Sequence, residues 1–394
     1  MATPFRAFPF RASSSRSIRL AVGLVSLGLV ASACGGGSSP GSNSTTTTKA
    51  APGSTPSGSS STAAPSGSTS HKGATLVYFI FNGYTPPFFA PMAQGIKDVQ
   101  KHYPNLDIKI LSANGSASTE ISQIHEAVAA GAKGIILNPV DESVTTAAKQ
   151  AMTSGIPVVT LDRDVSDPSA RIAFIGDNDV QLGRQEAEAC LKQLAAHQVA
   201  TPWHVVDLQG TQGASTSVDR EKGFEQVLQP VEKLGKVKVV LNQSANFDTA
   251  TAQRIISEFV AKTHNIQLVL ASNDAMALGA ITALKSAGLT PGSKTYVCGA
   301  DAQPESLAAI KAGTQLVTVT HSPYVEAFWS VEAMSNYLTN KTKPPAAKYQ
   351  GGDVRIPQVV VTKSNVASIS AWGTPQTVAP LPYGKAQAYP SSSS

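Results

Sequence analysis

The stretch "PVVTLDRD" (residues 157–164) runs four mostly apolar, β-branched residues into Asp162, Arg163 and Asp164. A strand buried on both faces has no place for three charges inside it, so the charges mark its end. From residue 75 onward the same pattern recurs. Short apolar runs end in Gly, Asn, Asp or Ser: "TLVYFIF", "DIKILSA", "GIILNP", "PVVTLD", "RIAFIGD", "WHVVDLQG", "VKVVLNQS", "LVLASND", "TYVCGAD" and "LVTVTHS". Most are followed by stretches such as "APMAQGIKDVQKHY" or "TATAQRIISEFVAKT", where apolar residues recur at three- and four-residue spacing. Continuous apolar strands alternating with amphipathic helices indicate parallel sheets covered on both faces. Ten strands exceed one compact half, so two α/β domains are expected.

Open parallel sheets bind ligands beyond the carboxyl ends of their strands. The run ends supply Asn138, Asp162, Arg163, Asp177, Gln209, Asn273, Asp301 and His321, with Phe247 just after a strand. Any one of these, taken singly, reads as a loop residue or a helix N-cap, and Asp177 with Asn178 is read as a cap. As a set they interleave carboxylates, carboxamides and a guanidinium. That mixture suits a ligand whose hydroxyls both donate and accept, and the balance of signs disfavours a highly charged one. Phe88, Phe89 and Phe247 would offer flat faces to the C–H side of a sugar ring; core packing is the competing reading for the first two.

The formal net charge of +5 does not describe the body of the chain. Arg6, Arg11, Arg16 and Arg19 precede Cys34 with no acidic residue among them, and removing them leaves +1. No basic footprint for nucleic acid remains. A basic start, the apolar run "LAVGLVSLGLVA" and the small residues "ASA" before Cys34 form an export signal (residues 1–33), too short for a permanent membrane span. Cys34 in that setting resembles a lipoprotein lipobox, with Ala31 where leucine is usual, and is expected to carry a lipid anchor to the cell membrane. Residues 34–73 then form a Ser/Thr/Gly/Pro-rich tether with an r.m.s. span of about 35 Å. Residues 375–394 are expected to form a disordered tail. Cys190 and Cys298 fall in a helical and a strand pattern and are expected to be two independent core thiols.

"TPPFF", "GIILNPVD", "PVVTLDRD", "ANFDTATA", "LASNDAMALGA" and "CGADAQPE" resemble, in order and spacing, the ribose-binding-like periplasmic proteins, type I solute-binding proteins of ABC importers. The resemblance covers about residues 75–365. It implies two Rossmann-like lobes with a three-crossing hinge: residues 74–176 plus 322–354 in the N-terminal lobe, and 177–321 plus 355–374 in the C-terminal lobe. It implies crossings near 176–178, 320–322 and 354–357. It carries ligand contact onto Phe88, Phe89, Asn138, Asp162, Arg163, Phe247, Asn273 and Asp301, with His321 where the family has Gln. The family's Asn is Pro86 here, and an Arg expected two residues before Arg220 is Val218, which removes donors and disfavours ribose itself.

The expected function is therefore capture of a small neutral sugar or polyol by an extracytoplasmic monomer, and its delivery to an ABC permease and ATPase complex. No cofactor or metal is called for. A sensor that presents its bound sugar to a membrane receptor is the alternative. An enzyme is disfavoured, because no Gly-x-Ser-x-Gly, Walker loop, His-Glu-x-x-His or GxGxxG motif follows any run. A sugar-responsive repressor would carry a helix-turn-helix where this chain has its export signal. Asp162 and Arg163 are expected to clamp ligand and contribute little to the fold. Neutral His321 is expected to bind a hydroxyl, so that acid weakens binding between about pH 7 and pH 5.

Overall fold

A computed structural model describes residues 73–84, 87–372 and 378–385, so the export signal, Cys34, most of the tether and Pro86 lie outside the described residues. The first lobe alternates β1 (Thr75–Phe81), α1 (Phe89–Gln100), β2 (Leu106–Ser112), α2 (Ala117–Ala129), β3 (Gly134–Asn138), α3 (Thr145–Thr153), β4 (Val158–Leu161) and β5 (Ala173–Gly176). The second lobe follows with α4 (Asp179–Ala196), β6 (Trp203–Gln209), α5 (Ser215–Lys233), β7 (Val237–Ser244), α6 (Thr249–Val260), β8 (Leu268–Ala271), α7 (Asp274–Ser286), β9 (Tyr296–Cys298), α8 (Pro304–Ala312) and β10 (Thr318–Val319). Each of the ten apolar runs forms a strand. The chain then returns through α9 (Pro323–Asn340) and β11 (Asp353–Arg355) before β12 (Val360–Val361).

Every residue of β3, β4, β5 and β8 is buried, which explains their uninterrupted apolar sequences. The first sheet has the order β11-β5-β4-β3-β1-β2 and the second β7-β6-β8-β9, with parallel pairing in both. Strand order reverses between β1 and β3 and again between β6 and β8. Crevices at such reversals hold ligands beyond the strands' carboxyl ends. In the first lobe, α1 and α9 cover one face around Phe79, Met92, Ile96 and Phe328, and α2 and α3 cover the other around Ile80, Ile124 and Ile135. In the second, α6 and α7 pack over Val206 and Val269, while α4 and α5 pack over Val205 and Leu268.

The chain passes between the lobes from β5 to α4, from β10 to α9, and from β11 to β12, which pairs antiparallel with β10. Two expectations are corrected. Cys190 on α4 and Cys298 on β9 are joined by a disulfide with a Cα–Cα distance of 6.5 Å, rather than standing as separate thiols. A helix and a strand pattern say nothing about which helix face meets which strand, and here the two cysteines meet in one core cluster. Of the tail expected to be disordered, residues 378–385 join the fold, with Val378, Leu381 and Tyr383 buried in the first lobe's core, and the rest lies outside the described residues. Its apolar residues are too sparse to show a period, yet they suffice to fill a groove that other elements have built.

Candidate functional site

Side chains from both sheets converge on one cleft. A small cavity of about 20 Å³ is lined by residues of the first lobe (Phe88, Phe89, Asp162, Arg163), of the second (Thr216, Arg220, Phe247, Asn273, Asp301) and by His321 at the crossing. The backbone turns sharply to aim three of them: Asp162, Phe247 and Asp301 have φ of 58°, 57° and 108°, a region non-glycine residues enter at a cost. Strain of this kind persists where the surroundings enforce it, and it clusters at binding sites. Gly210 is fitted to the same end. A Cβ there would lie 2.0 Å from Phe247 Cζ.

Asp162 is buried and its Oδ2 accepts a hydrogen bond from Asn138 Nδ2 at 2.8 Å; Arg163 Nε lies 3.9 Å away. Arg163 donates through Nη1 to Val140 O at 2.8 Å. Its guanidinium carbon lies 5.6 Å from the ring centres of both Phe89 and Phe247, one from each lobe. Burial lowers its pKa, against the charge of Asp162. The lobes also touch directly where Asp164 N–H donates to Ser215 Oγ at 2.8 Å and Glu142 N–H to Gly213 O at 3.3 Å. Asp162 and Arg163 are expected from the sequence to contribute little to the fold, yet both have partners within the protein: Asn138 and His321 for Asp162, and the Val140 carbonyl for Arg163.

Asn138 is completely buried, supports Asp162 from behind and does not line the cavity. Asn273 does line it, but its Oδ1 caps α7 by accepting from Met276 N–H at 3.0 Å. One side chain thus serves as helix cap and cleft wall. Asp177 is buried rather than a simple cap, and Asn178 is the cap of α4.

The sequence reading missed Arg220. It is 2% exposed and reaches Asp179 Oδ1 at 2.8 Å, Ser272 O at 2.7 Å, Asp301 Oδ1 at 3.1 Å and His321 Nδ1 at 2.7 Å. Burial opposes its charge, but Asp179 and Asp301 outweigh that and hold its pKa above the ordinary value. Val218 is 56% exposed, so the loss of an Arg expected there does not strip the cleft of its second guanidinium. Helix period gives the signal that was passed over. Thr216 and Arg220, four apart at the start of α5, share the face that lines the cavity, while Val218 points away.

His321 is engaged on both nitrogens. Nε2 lies 2.9 Å from Glu326 Oε1 and 3.3 Å from Asp162 Oδ1, and Nδ1 lies 3.3 Å from Asp301 Oδ1 as well as 2.7 Å from Arg220. A guanidinium has no lone pair, so the Arg220 contact is a hydrogen bond only if the ring carries its proton on Nε2 alone. The carboxylates pull the other way. Burial opposes a second proton, but Glu326, Asp177 and Asp301 hold the His321 pKa well above its ordinary value. Taking up that proton would turn Nδ1–H toward Asp301 and leave Arg220 to its carboxylates. The expected titration between pH 7 and pH 5 is thereby corrected, because these neighbours move it upward. Asp162, His321 and Glu326 place one donor atom each within 4.8 Å of one another, a spacing that would admit a cation. The hydrogen bond to Glu326 and the contacts with Arg220 and Asp301 already engage both ring nitrogens of His321, which such a cation would need.

Fold, cleft and strand-end residues together invite comparison with known proteins. Residues 77–342 match the family of periplasmic binding protein domains. The chain belongs to that family. It is 30% identical over 281 residues to the ribose import binding protein of Bacillus subtilis, covering 71% of this chain and 86% of that one. It is also 30% identical over 269 residues to the xylitol-binding protein of Mycolicibacterium smegmatis, covering 66% and 73%. Among solved structures, the Caulobacter myo-inositol binding protein bound to myo-inositol superposes with a TM-score of 0.67 at 26% identity, over 75% of this chain and 96% of that one. The family is extracytoplasmic and its members bind solutes. Among the described residues, no helix of this periplasmic binding protein is long and apolar enough to cross a membrane.

Proposed function

We propose that the chain captures a small neutral sugar or polyol between its lobes and delivers it to an ABC permease and ATPase complex, acting as a monomer and not as an enzyme. One observation carries the reading. Asp162 and Arg163 from one lobe face Arg220, Asn273 and Asp301 from the other, with aromatic rings of Phe88, Phe89 and Phe247 between them. Such a cleft supplies donors and acceptors for several hydroxyls and apolar faces for ring C–H groups, which is the chemistry of a polyhydroxylated ring or chain. Relatives named for ribose and xylitol support the class. Lipidation of Cys34 would hold this body outside the membrane on its tether, close to the permease.

Thermal unfolding with a panel of neutral pentoses, hexoses, inositols and linear polyols tests the reading. A ligand at a hundred times its dissociation constant adds about 2.7 kcal/mol of stability. At least one neutral polyhydroxyl compound is expected to raise the melting temperature, while amino acids and organic acids leave it unmoved. A panel in which only the charged compounds stabilise would contradict the proposal.

A further inference from the structure

The C-terminal segment touches the binding cleft as well as both lobes. Val366, Ile369 and Ala371 pack with Leu307, Ile310 and Val361 in the second lobe. One residue later, Trp372 packs on the first lobe's core, and Val378, Leu381 and Tyr383 are buried within that core. The chain thus passes between the lobes a fourth time, at residues 371–372, beyond the part that matches the family. The docking is specific. Trp329 Nε1–H donates to Ala379 O at 2.8 Å, and Leu381 N–H donates to Glu332 Oε2 at 2.9 Å.

Trp372 meets the cleft in two places. Its ring stands edge-on to Phe88, with centroids 6.1 Å apart, and Phe88 in turn lies 4.7 Å from the His321 ring. Its carbonyl accepts a hydrogen bond from Ser322 Oγ at 2.6 Å. That same hydroxyl accepts from Val325 N–H at 3.3 Å and so caps α9 at the crossing, next to His321. Trp372 therefore bears on the cleft's aromatic wall and on the hinge residue beside its histidine, without lining the cavity itself.

We propose that the C-terminal segment is a fourth hinge element, and that Trp372 is a positioning residue that sets Phe88 and the Ser322 cap only while Val378, Leu381 and Tyr383 are docked. Undocking the tail then frees Trp372 from the edge of Phe88 and from the Ser322 hydroxyl. A tail that merely completes the first lobe's core would leave exchange at the Ser322 cap indifferent to the side chain at position 372.

Hydrogen–deuterium exchange on the full chain without ligand separates these outcomes and is independent of which solute binds. Leu381→Asp and Trp372→Ala are each expected to speed exchange roughly tenfold at residues 322–326 and 88–92. Trp372→Phe, which keeps an aromatic edge on Phe88, should restore slow exchange there. Tyr383→Ala gives a milder undocking should Leu381→Asp unfold the lobe, which a melting curve detects. Faster exchange confined to residues 378–385, or a Trp372→Phe variant no better than Trp372→Ala, would overturn the proposal.

Discussion

Replacing Arg220 by methionine should damage the fold before it damages binding. The guanidinium is the only positive group within hydrogen-bonding reach of both Asp179 and Asp301, at 2.8 and 3.1 Å, among the described ion pairs other than the histidine's. All three side chains are at most 6% exposed. Methionine fills much of the volume but leaves Asp179 buried without its partner and Asp301 with only His321 beside it. Breaking a buried pair from one side costs about 3–5 kcal/mol, because the remaining charge has neither water nor a counter-ion. For a domain of this size each kcal/mol moves the melting temperature by about 2–4 °C, so a fall of roughly 10 °C is expected in the unliganded protein. Calorimetric melting of Arg220→Met reads it. Adding Asp179→Leu should return part of the loss, since the second change removes one of the stranded charges. Arg163→Met should fall less, its nearest carboxylate oxygen being 3.9 Å away. A melting temperature within about 2 °C of the parent would show that Arg220 does not hold these carboxylates.

Acid should stabilise the unliganded protein over a defined range. Burial raises the carboxyl of Asp177 to about 7 and those of Glu120 and Asp274 to about 8. Between about pH 4.5 and pH 8 the folded state therefore holds protons that the unfolded chain has released, and stability falls as pH rises. His321 acts in the same direction: its contribution is complete below the unfolded value of about 6.5 and is lost as pH rises through its raised folded value. The melting temperature is expected to be higher at pH 5 than at pH 8, and the opposite slope would contradict these assignments. Replacing Cys190 and Cys298 together by serine should cost about 2–4 kcal/mol. Alkylation of the denatured, unreduced chain should leave both cysteines unmodified.

What the sequence made legible follows from how each signal arises. Strand burial on both faces writes itself as an unbroken apolar run, so β3, β4, β5 and β8 could be read directly. Residues at strand ends are fixed by topology, so Asp162, Arg163, Asn273 and Asp301 could be placed in the cleft without knowing any distance. Glu326 projects from a helix, and its role depends on a helix rotation that a charged residue near a helix start does not reveal; Arg220 needed the helix period that pairs it with Thr216. Asn138 shows the reverse error: a strand-end carboxamide that turns inward to hold Asp162 rather than outward to the cavity. The tail from 378 to 385 was missed because docking into an existing groove needs only three apolar side chains and no period.

Calorimetric titration of the strongest neutral sugar or polyol from the panel, into the parent protein and into Asp162→Ala, bears on the clamp between the lobes. Binding at one site per chain is expected for the parent. Loss of one charged hydrogen bond should weaken affinity by about 1.5–3 kcal/mol, roughly ten- to a hundredfold. Asp162→Ala should remain folded by melting. Equal affinity in the two proteins, or binding of several molecules per chain with no dependence on Asp162, would show that the solute does not sit between Asp162 and Arg220.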